Sequence, residues 1–257
     1  MNIKQKQESK IYAFIKAVDK QYFDSFINDG EICLQTTKWF RDYEEQDDNI
    51  GDASEGAIAS CAKDLTFQFA EPILSYSSEE DLKEQFKNIK FSDPISSESF
   101  NLFNGNNANI LSLYAITLIK TDKKEYKHLV SKKFVDEFSN HRFVLILNPK
   151  IFISRVAKKL TDLGKSPKGC IVNYYPSDSI LRKDLTDFDK REKYSYQNEY
   201  RLLFNDINPQ MQIIKVDSLS EIILEIDLYK HSYWGNFGDL KLTIEMDFKT
   251  ENKNTTA

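Results

Sequence analysis

The largely apolar run from Ile11 to Ala17 predicts a strand, and because successive side chains of a strand point to opposite sides, Tyr12, Phe14 and Lys16 fall on one face. Asp19 stands where a helix N-cap belongs. The apolar pairs Tyr22/Phe23 and Phe26/Ile27 follow it, and Gly30 closes the segment at the C′ position. Residues 31–36 read as a second strand with Ile32 and Leu34 facing inward. Residues 37–47 predict a helix or turn, and residues 48–56 a loop. The runs 58–62 and 65–69 predict two strands joined by a turn at Ala62-Lys63-Asp64. Ser77 and Glu80 form a capping box ahead of a helix with the stripe Leu82, Phe86 and Ile89. The polar, Asn/Ser-rich stretch 90–108 predicts an exposed loop. Two nearly continuous apolar runs at 110–120 and 142–147 predict buried strands, with a helix between them at 131–140. Asn148 and Pro149 open the clearest helix, with Phe152, Val156, Leu160 and Leu163 at helical spacing and Gly164 as its stop. Further strands are predicted at 169–175, 199–204, 211–216, 221–226 and 240–248.

Helices fall early and in the middle, strands dominate late, and no regular βαβ alternation appears. The pattern predicts an α+β fold of mixed, mainly antiparallel sheets with helices. No repeat and no dividing linker interrupts it, so 1–257 reads as a single domain with flexible ends at 1–9 and 249–257. The aromatic content of 13%, with 18 Phe and 13 Tyr, fits a packed core and not a disordered chain.

Charge narrows the partners. A net charge of −5 is not the footprint of a protein held on nucleic acid by bulk electrostatics. No apolar stretch approaches the ~20 residues of a membrane span, and the opening residues carry no apolar signal core, so a cytoplasmic protein is expected. Cys33, Cys61 and Cys170 are odd in number and widely spaced, predicting reduced, mostly buried thiols. His128, His141 and His231 sit in no metal-ligand spacing, and no phosphate-binding glycine loop is present.

Two segments stand out as candidate chemistry. Trp39-Phe40-Arg41-Asp42 precedes a loop that sets Asp52 and Glu55 between Gly51 and Gly56, where backbone amides can approach a ligand. Later, Tyr194 to Phe204 reads as a strand and its approach. Tyr200, Leu202 and Phe204 face the core, while Gln197, Glu199 and Arg201 line the opposite face with Tyr194 and Tyr196 nearby. A carboxylate between an amide and a guanidinium makes a capable polar site; the plain alternative is an exposed Glu/Arg pair of ~0–1 kcal/mol.

Tyr12-x-Phe14, Gly30-x-Ile32, Phe40-Arg41-Asp42, Gly51-Asp52-x-x-Glu55-Gly56, Phe188-x-Lys190 and Tyr194-x-x-Gln197-x-Glu199-Tyr200-Arg201-Leu202 together resemble a group of bacterial proteins of the ADP-ribosyltransferase-like superfamily found in toxin and phage-defence loci. The resemblance implies a split sheet of that superfamily and NAD as substrate. It also implies a macromolecular acceptor, protein or nucleic acid, and an antitoxin or other regulatory partner. It makes Glu199 the catalytic carboxylate that grips the nicotinamide ribose, makes Gln197 the residue that orients the acceptor, and sets Arg201 on their face. Tyr12, Phe14, Thr36, Phe40, Arg41, Asp52, Glu55 and Tyr196 become the candidate NAD-binding residues, with Tyr12, Phe14, Phe40 and Tyr196 positioned to sandwich the nicotinamide. Tyr12 and Lys16 stand where those families carry His or Arg, and Thr36-Thr37 stands in place of their Ser-Thr-Ser element.

Two other functions fit the same residues. Asp52, Glu55 and Glu199 would suit Mg²⁺ in a nuclease, although Arg201 occupies the place where such sites often carry Lys. A binding module with an aromatic groove would also use the many Tyr and Phe residues.

Overall fold

The computed structural model describes residues 9–43, 52, 55–57, 59–61, 100–102, 107–119, 124–176, 185–206, 209–237 and 240–247. The strands are β1 (Ser9–Asp19), β2 (Glu31–Thr36), β3 (Ala59–Cys61), β4 (Phe100–Leu102), β5 (Asn107–Ile119), β6 (Glu125–Ser131), β7 (His141–Ile146), β8 (Lys168–Ile171), β9 (Asn173–Tyr175), β10 (Asp189–Arg191), β11 (Glu199–Asp206), β12 (Gln212–Lys215), β13 (Ile223–Ile226), β14 (Tyr233–Phe237) and β15 (Leu240–Asp247). The helices are α1 (Phe23–Asn28), α2 (Thr37–Tyr43), α3 (Lys132–Glu137) and α4 (Pro149–Asp162), with 3₁₀ turns at Lys20–Tyr22 and Glu192–Gln197. The architecture is mixed α+β with mostly antiparallel pairing; β9/β10 and β6/β15 are the parallel pairs among the described residues. No helix among these residues is long and apolar enough to cross a membrane.

The main sheet runs β12-β2-β5-β1-β7-β13, with β11 also pairing β5 and β8 pairing β11. One edge of β5 is taken by β11 from Asn107 to Tyr114. The other edge is divided: β1 holds Tyr114 to Ile119, and β2 holds Asn109 and Ile110. Among the described residues, 111–113 of β5 therefore have no ladder partner on that side. Lys16 fills this split, its Nζ donating to the Ser112 carbonyl at 3.2 Å.

Alternation explains the two faces. Phe14, Val18, Leu111, Leu113, Val144, Ile146, Leu202 and Phe204 point to one side, under α1 and α4. Ala13, Ile15, Tyr114, Ile116, Leu118, Phe143 and Leu145 point to the other, under α3 and the β14-β15-β6 sheet. Helix α4 follows its sequence signals closely. Asn148 Oδ1 accepts from Ile151 N at 3.1 Å, Pro149 opens the first turn, and Gly164 ends the segment at φ +73°. Phe152, Val156 and Leu160 are fully buried, each stabilising the packing by ~1.5–3 kcal/mol. Leu163 lies past the last turn as the C-cap and is exposed.

Several expectations are corrected. Tyr12 does not share a face with Phe14. A register shift between Ile11 and Ala13 inserts an extra residue against β5, so Tyr12 packs with the second cluster while Phe14 stays in the first. β3 pairs with β4, so Phe100–Leu102 is strand and not loop. Residues 65–69, the capping box at Ser77 and its helix lie outside the described residues. Strands β6, β10 and β14 were not foreseen. Cys33 and Cys170 are exposed and not buried, because Cys33 alternates with inward-facing Ile32 and Leu34 on β2.

Candidate functional site

The polar site lies on the second face of the sheet, where the apolar cover gives way to charge. β11 begins at Glu199, opposite Tyr114 on β5, with Arg201 opposite Ser112. The strand is entered through Asn198, a non-glycine residue in the left-handed region at φ 38°. Asn and Asp tolerate that conformation best. Here Asn198 Nδ2 donates to the Ala115 carbonyl at 2.5 Å, and Ala115 N donates to Asn198 O at 2.8 Å. The entry is thus riveted to β5, and Glu199 starts from a fixed point.

The face expected to carry Gln197, Glu199 and Arg201 is not an open one. Arg201 is 1% exposed and Glu199 3%. Arg201 Nε donates to Glu199 Oε1 at 2.7 Å, and its terminal nitrogens donate to Glu55 Oε1 and Oε2, both at 2.7 Å. Nη1 also reaches the Asp187 carbonyl at 2.5 Å. Ser112 Oγ donates to Glu199 Oε1 at 2.5 Å, and Lys190 Nζ donates to Glu199 Oε2 at 3.1 Å. Lys190 also donates to Gln197 Oε1 at 2.7 Å. Gln197 belongs to the 3₁₀ helix and not to the strand, yet both residues of the Gln-x-Glu pair converge on one ammonium.

Two buried carboxylates, Glu55 and Glu199, therefore face two buried cations, Lys190 and Arg201. Burial alone would raise the Glu199 carboxyl. The Arg201 and Lys190 charges, with hydrogen bonds from Arg201 and Ser112, outweigh it and hold Glu199 well below the usual carboxylate range. Glu55 goes the other way: burial pushes it up more than Arg201 and Lys190 pull it down, and the nearby charges of Asp52 and Glu199 add to the rise. The two share Arg201, so their protons belong to the pair. Burial would lower Arg201, but both carboxylates hold it charged.

Asp52 and Glu55 both lie against this cluster. Besides the Glu55–Arg201 fork, Asp52 Oδ1 accepts from Arg191 Nε at 3.0 Å and Nη2 at 2.5 Å. Arg41 Nη1 donates to the Glu55 carbonyl at 2.7 Å, so α2 carries the loop to the site. Gly56 sits close to both, at φ +72° with an added Cβ meeting Arg41 Nη1 at 3.2 Å.

Other candidates are dispersed. Phe14 is 1% exposed on the opposite face, against Tyr200 with ring centroids 5.1 Å apart. Tyr12 packs in the second cluster, and Phe40 against Ala108, Ile110 and Leu203. Thr36 Oγ1 accepts from Trp39 N at 3.0 Å and shapes the start of α2. Tyr196 lies on the far side of Gln197, where its hydroxyl donates to Glu137 Oε1 at 2.9 Å. The four aromatics do not converge on one ring-sized space.

Ser112, Tyr174, Lys190, Arg191 and Glu137 were not among the expected site residues. Tyr174 Oη accepts from Glu199 N at 2.8 Å. Ser112 had a signal in the sequence, as a hydroxyl interrupting an apolar strand, and Lys190 had one in Phe188-x-Lys190. Glu137 had none.

Among the described residues no group of three or more His, Cys, Asp or Glu side chains is arranged to hold a metal ion. Comparison of the chain with protein-family models, curated proteins and solved structures finds no match.

Proposed function

We propose that this chain is an ADP-ribosyltransferase-like enzyme, a toxin or phage-defence effector that moves ADP-ribose from NAD to a macromolecular acceptor. The observation that carries this is the setting of Glu199: a buried carboxylate on the first residue of β11, bonded by Arg201, Lys190 and Ser112, with Gln197 two residues earlier bound to the same ammonium. Breaking the nicotinamide–ribose bond builds positive charge on the ribose carbon, as in glycoside hydrolysis. A fixed anion beside that carbon stabilises the charge without reorganising. Lys190 is the partner to exchange. Its 3.1 Å contact to Glu199 Oε2 is longer than the 2.7 Å contact from Arg201 Nε to Oε1. A ribose hydroxyl taking its place as donor leaves Arg201 and Ser112 to hold the carboxylate. The divided edge of β5, where β1 and β2 part around Ser112, is in keeping with the split sheet of that superfamily.

The test is incubation of the purified protein with labelled NAD and whole-cell extract, followed by separation into protein and nucleic-acid fractions. Label in either fraction, with nicotinamide released, supports the proposal. No label and no release overturns it.

A second reading has its own observation. Both oxygens of Glu199 are occupied, and the network ties β11 to Glu55, Asp187 and Lys190. A binding module would use such a cluster as internal fastening, and it predicts no NAD binding. The nuclease alternative fits less well, since Asp52 and Glu55 are each neutralised by an arginine.

A further inference from the structure

Beside the Glu199 network stands a carboxylate that the transferase reading leaves unused. Glu137, the last residue of α3, is partly buried. Its Oε1 accepts from the Tyr196 hydroxyl at 2.9 Å. Its Oε2 is buried with no hydrogen-bond partner among the described residues. Gln197 Nε2 donates to the Tyr196 oxygen at 3.5 Å, and Gln197 Oε1 leads through Lys190 to Glu199. A continuous chain of polar contacts thus joins Glu137 to Glu199 through the residue expected to orient the acceptor.

Transfer from NAD has a proton to place. An acceptor hydroxyl or amine attacks the ribose carbon with a lone pair, and a guanidinium does so as it gives up a proton. The bond from that carbon to the nicotinamide nitrogen breaks, its electrons neutralise the pyridinium, and nicotinamide leaves uncharged. The acceptor is left with one proton too many. Glu199, held ionised by two cations, is a poor base. Both oxygens of Glu55 are taken by Arg201. The Gln197 amide has no useful proton affinity, and Lys190 and Arg201 act as donors.

On the transferase reading above, we propose that Glu137 and Tyr196 form the proton-accepting arm of the acceptor side: the acceptor's proton passes to the Tyr196 oxygen as the Tyr196 proton passes to Glu137 Oε1. Glu137 then loses that proton to water, and the arm is restored. The acceptor is accordingly a group with a removable proton, a hydroxyl or a nitrogen base, and not a carboxylate. The environment suits the role. Burial raises Glu137 to about 7, against the opposing Tyr196 hydrogen bond, the nearby Gln197 amide and the charges of Lys190 on β10 and Lys133 on α3 itself. A base works best when its proton affinity lies near the working pH. The Lys133 ammonium lies over the Tyr196 ring, 4.2 Å from its centroid.

The experiment follows nicotinamide release from NAD with agmatine as a guanidinium acceptor or glycerol as a hydroxyl acceptor, at pH values on both sides of 7. For wild type, transfer rises with pH through about 7, where Glu137 loses its proton. Glu137→Gln lacks that rise and transfers ~10²-fold more slowly, with KM for NAD unchanged. Glu137→Asp keeps the rise at a lower rate. Tyr196→Phe leaves the carboxylate in place and also loses the rise, so the result does not hang on one variant folding. A Glu137→Gln or Tyr196→Phe enzyme that is folded and keeps the wild-type pH profile overturns this proposal alone. A wild type that releases no nicotinamide overturns the transferase reading and this one with it.

Discussion

Arg201 and Glu55 stand 146 positions apart in the chain and meet through two parallel N–H···O bonds of 2.7 Å each. The fork is buried at both ends, with side-chain exposures of 1% and 2%. It fastens Glu55 to β11, and its energetics are those of a buried pair: breaking one side is costly because the other charge stays behind.

Glu55→Gln should therefore lower stability, but by less than the ~3–5 kcal/mol of a buried charge left with no partner, because Arg201 keeps its bond to Glu199. Replacing Glu55 and Arg201 together by Met should cost less than the sum of the two single changes, with a coupling of roughly 0.5–3 kcal/mol. Urea denaturation of the four proteins measures this. Strict additivity would show that the fork contributes nothing beyond its separate parts.

Glu199→Gln removes a charge that Lys190 and Arg201 both face. NAD turnover should fall by about two to three orders of magnitude, the loss expected when one electrostatic stabiliser goes. The melting temperature should fall as well, because two buried cations lose a partner. Ser112→Ala separates the effects: it keeps the charge and removes only the 2.5 Å hydrogen bond, so stability falls by about 1.5–3 kcal/mol, the range for a bond to a charged group, and turnover falls less than in Glu199→Gln. A folded Glu199→Gln protein with full NAD turnover would sink the catalytic assignment, and the binding-module reading would then lead.

Glu137 and Glu199 give opposite pH signatures. Glu137 is raised from 4.5 to about 7 on folding. The folded state keeps a proton that the unfolded chain has released, so this contribution to stability is full below pH 4.5 and is lost as pH rises through about 7. Glu199 is lowered from 4.5, so its contribution is present above that value and is lost as pH falls. The melting temperature of wild type minus that of Glu137→Gln should decline between pH 4.5 and about 7 and then level off. Calorimetry at several pH values reads this, and a difference that does not change with pH counts against it.

Two glycines with similar dihedrals should respond unequally to alanine. Gly30 (φ +60°) would place a Cβ 2.6 Å from the Asp217 and Val216 carbonyl oxygens, whereas Gly164 (φ +73°) would place it in open space. Gly164→Ala should cost about 1–2 kcal/mol, the left-handed penalty alone. Gly30→Ala carries the same penalty plus a backbone clash, and its melting temperature should drop further. Equal drops would mean that the Gly30 turn relaxes freely.

Much of the frame was legible because its signals are local. Asn148-Pro149 and Gly164 bracket α4 without help from the rest of the chain, and the alternation of Tyr200, Leu202 and Phe204 gives the inner face of β11. The errors arise where distant residues decide. The bulge at Tyr12 is set by pairing with β5, and β6 is a strand because β15 lies parallel beside it. The Gln-x-Glu-x-Arg pattern was visible, but its burial was not. An alternating polar face reads as solvated until Glu55 and Lys190 arrive to cover it.

The divided edge of β5 also bears on how the chain comes to be folded. β1 and β2 are neighbours in sequence, yet in the sheet they are held by a common strand that comes much later. Lys16 and the Ser112 carbonyl it caps lie 96 positions apart. Among the described residues the sheet partners of β1 and β2 all lie later in the chain, so a chain emerging from the ribosome carries both strands before β5 has been made. Closing so long a loop costs entropy before any ladder bond repays it, which slows assembly. Products ending ahead of β5 would display those strand edges as templates for aggregation, so folding without side reactions requires the two strands to be kept apart until β5 arrives.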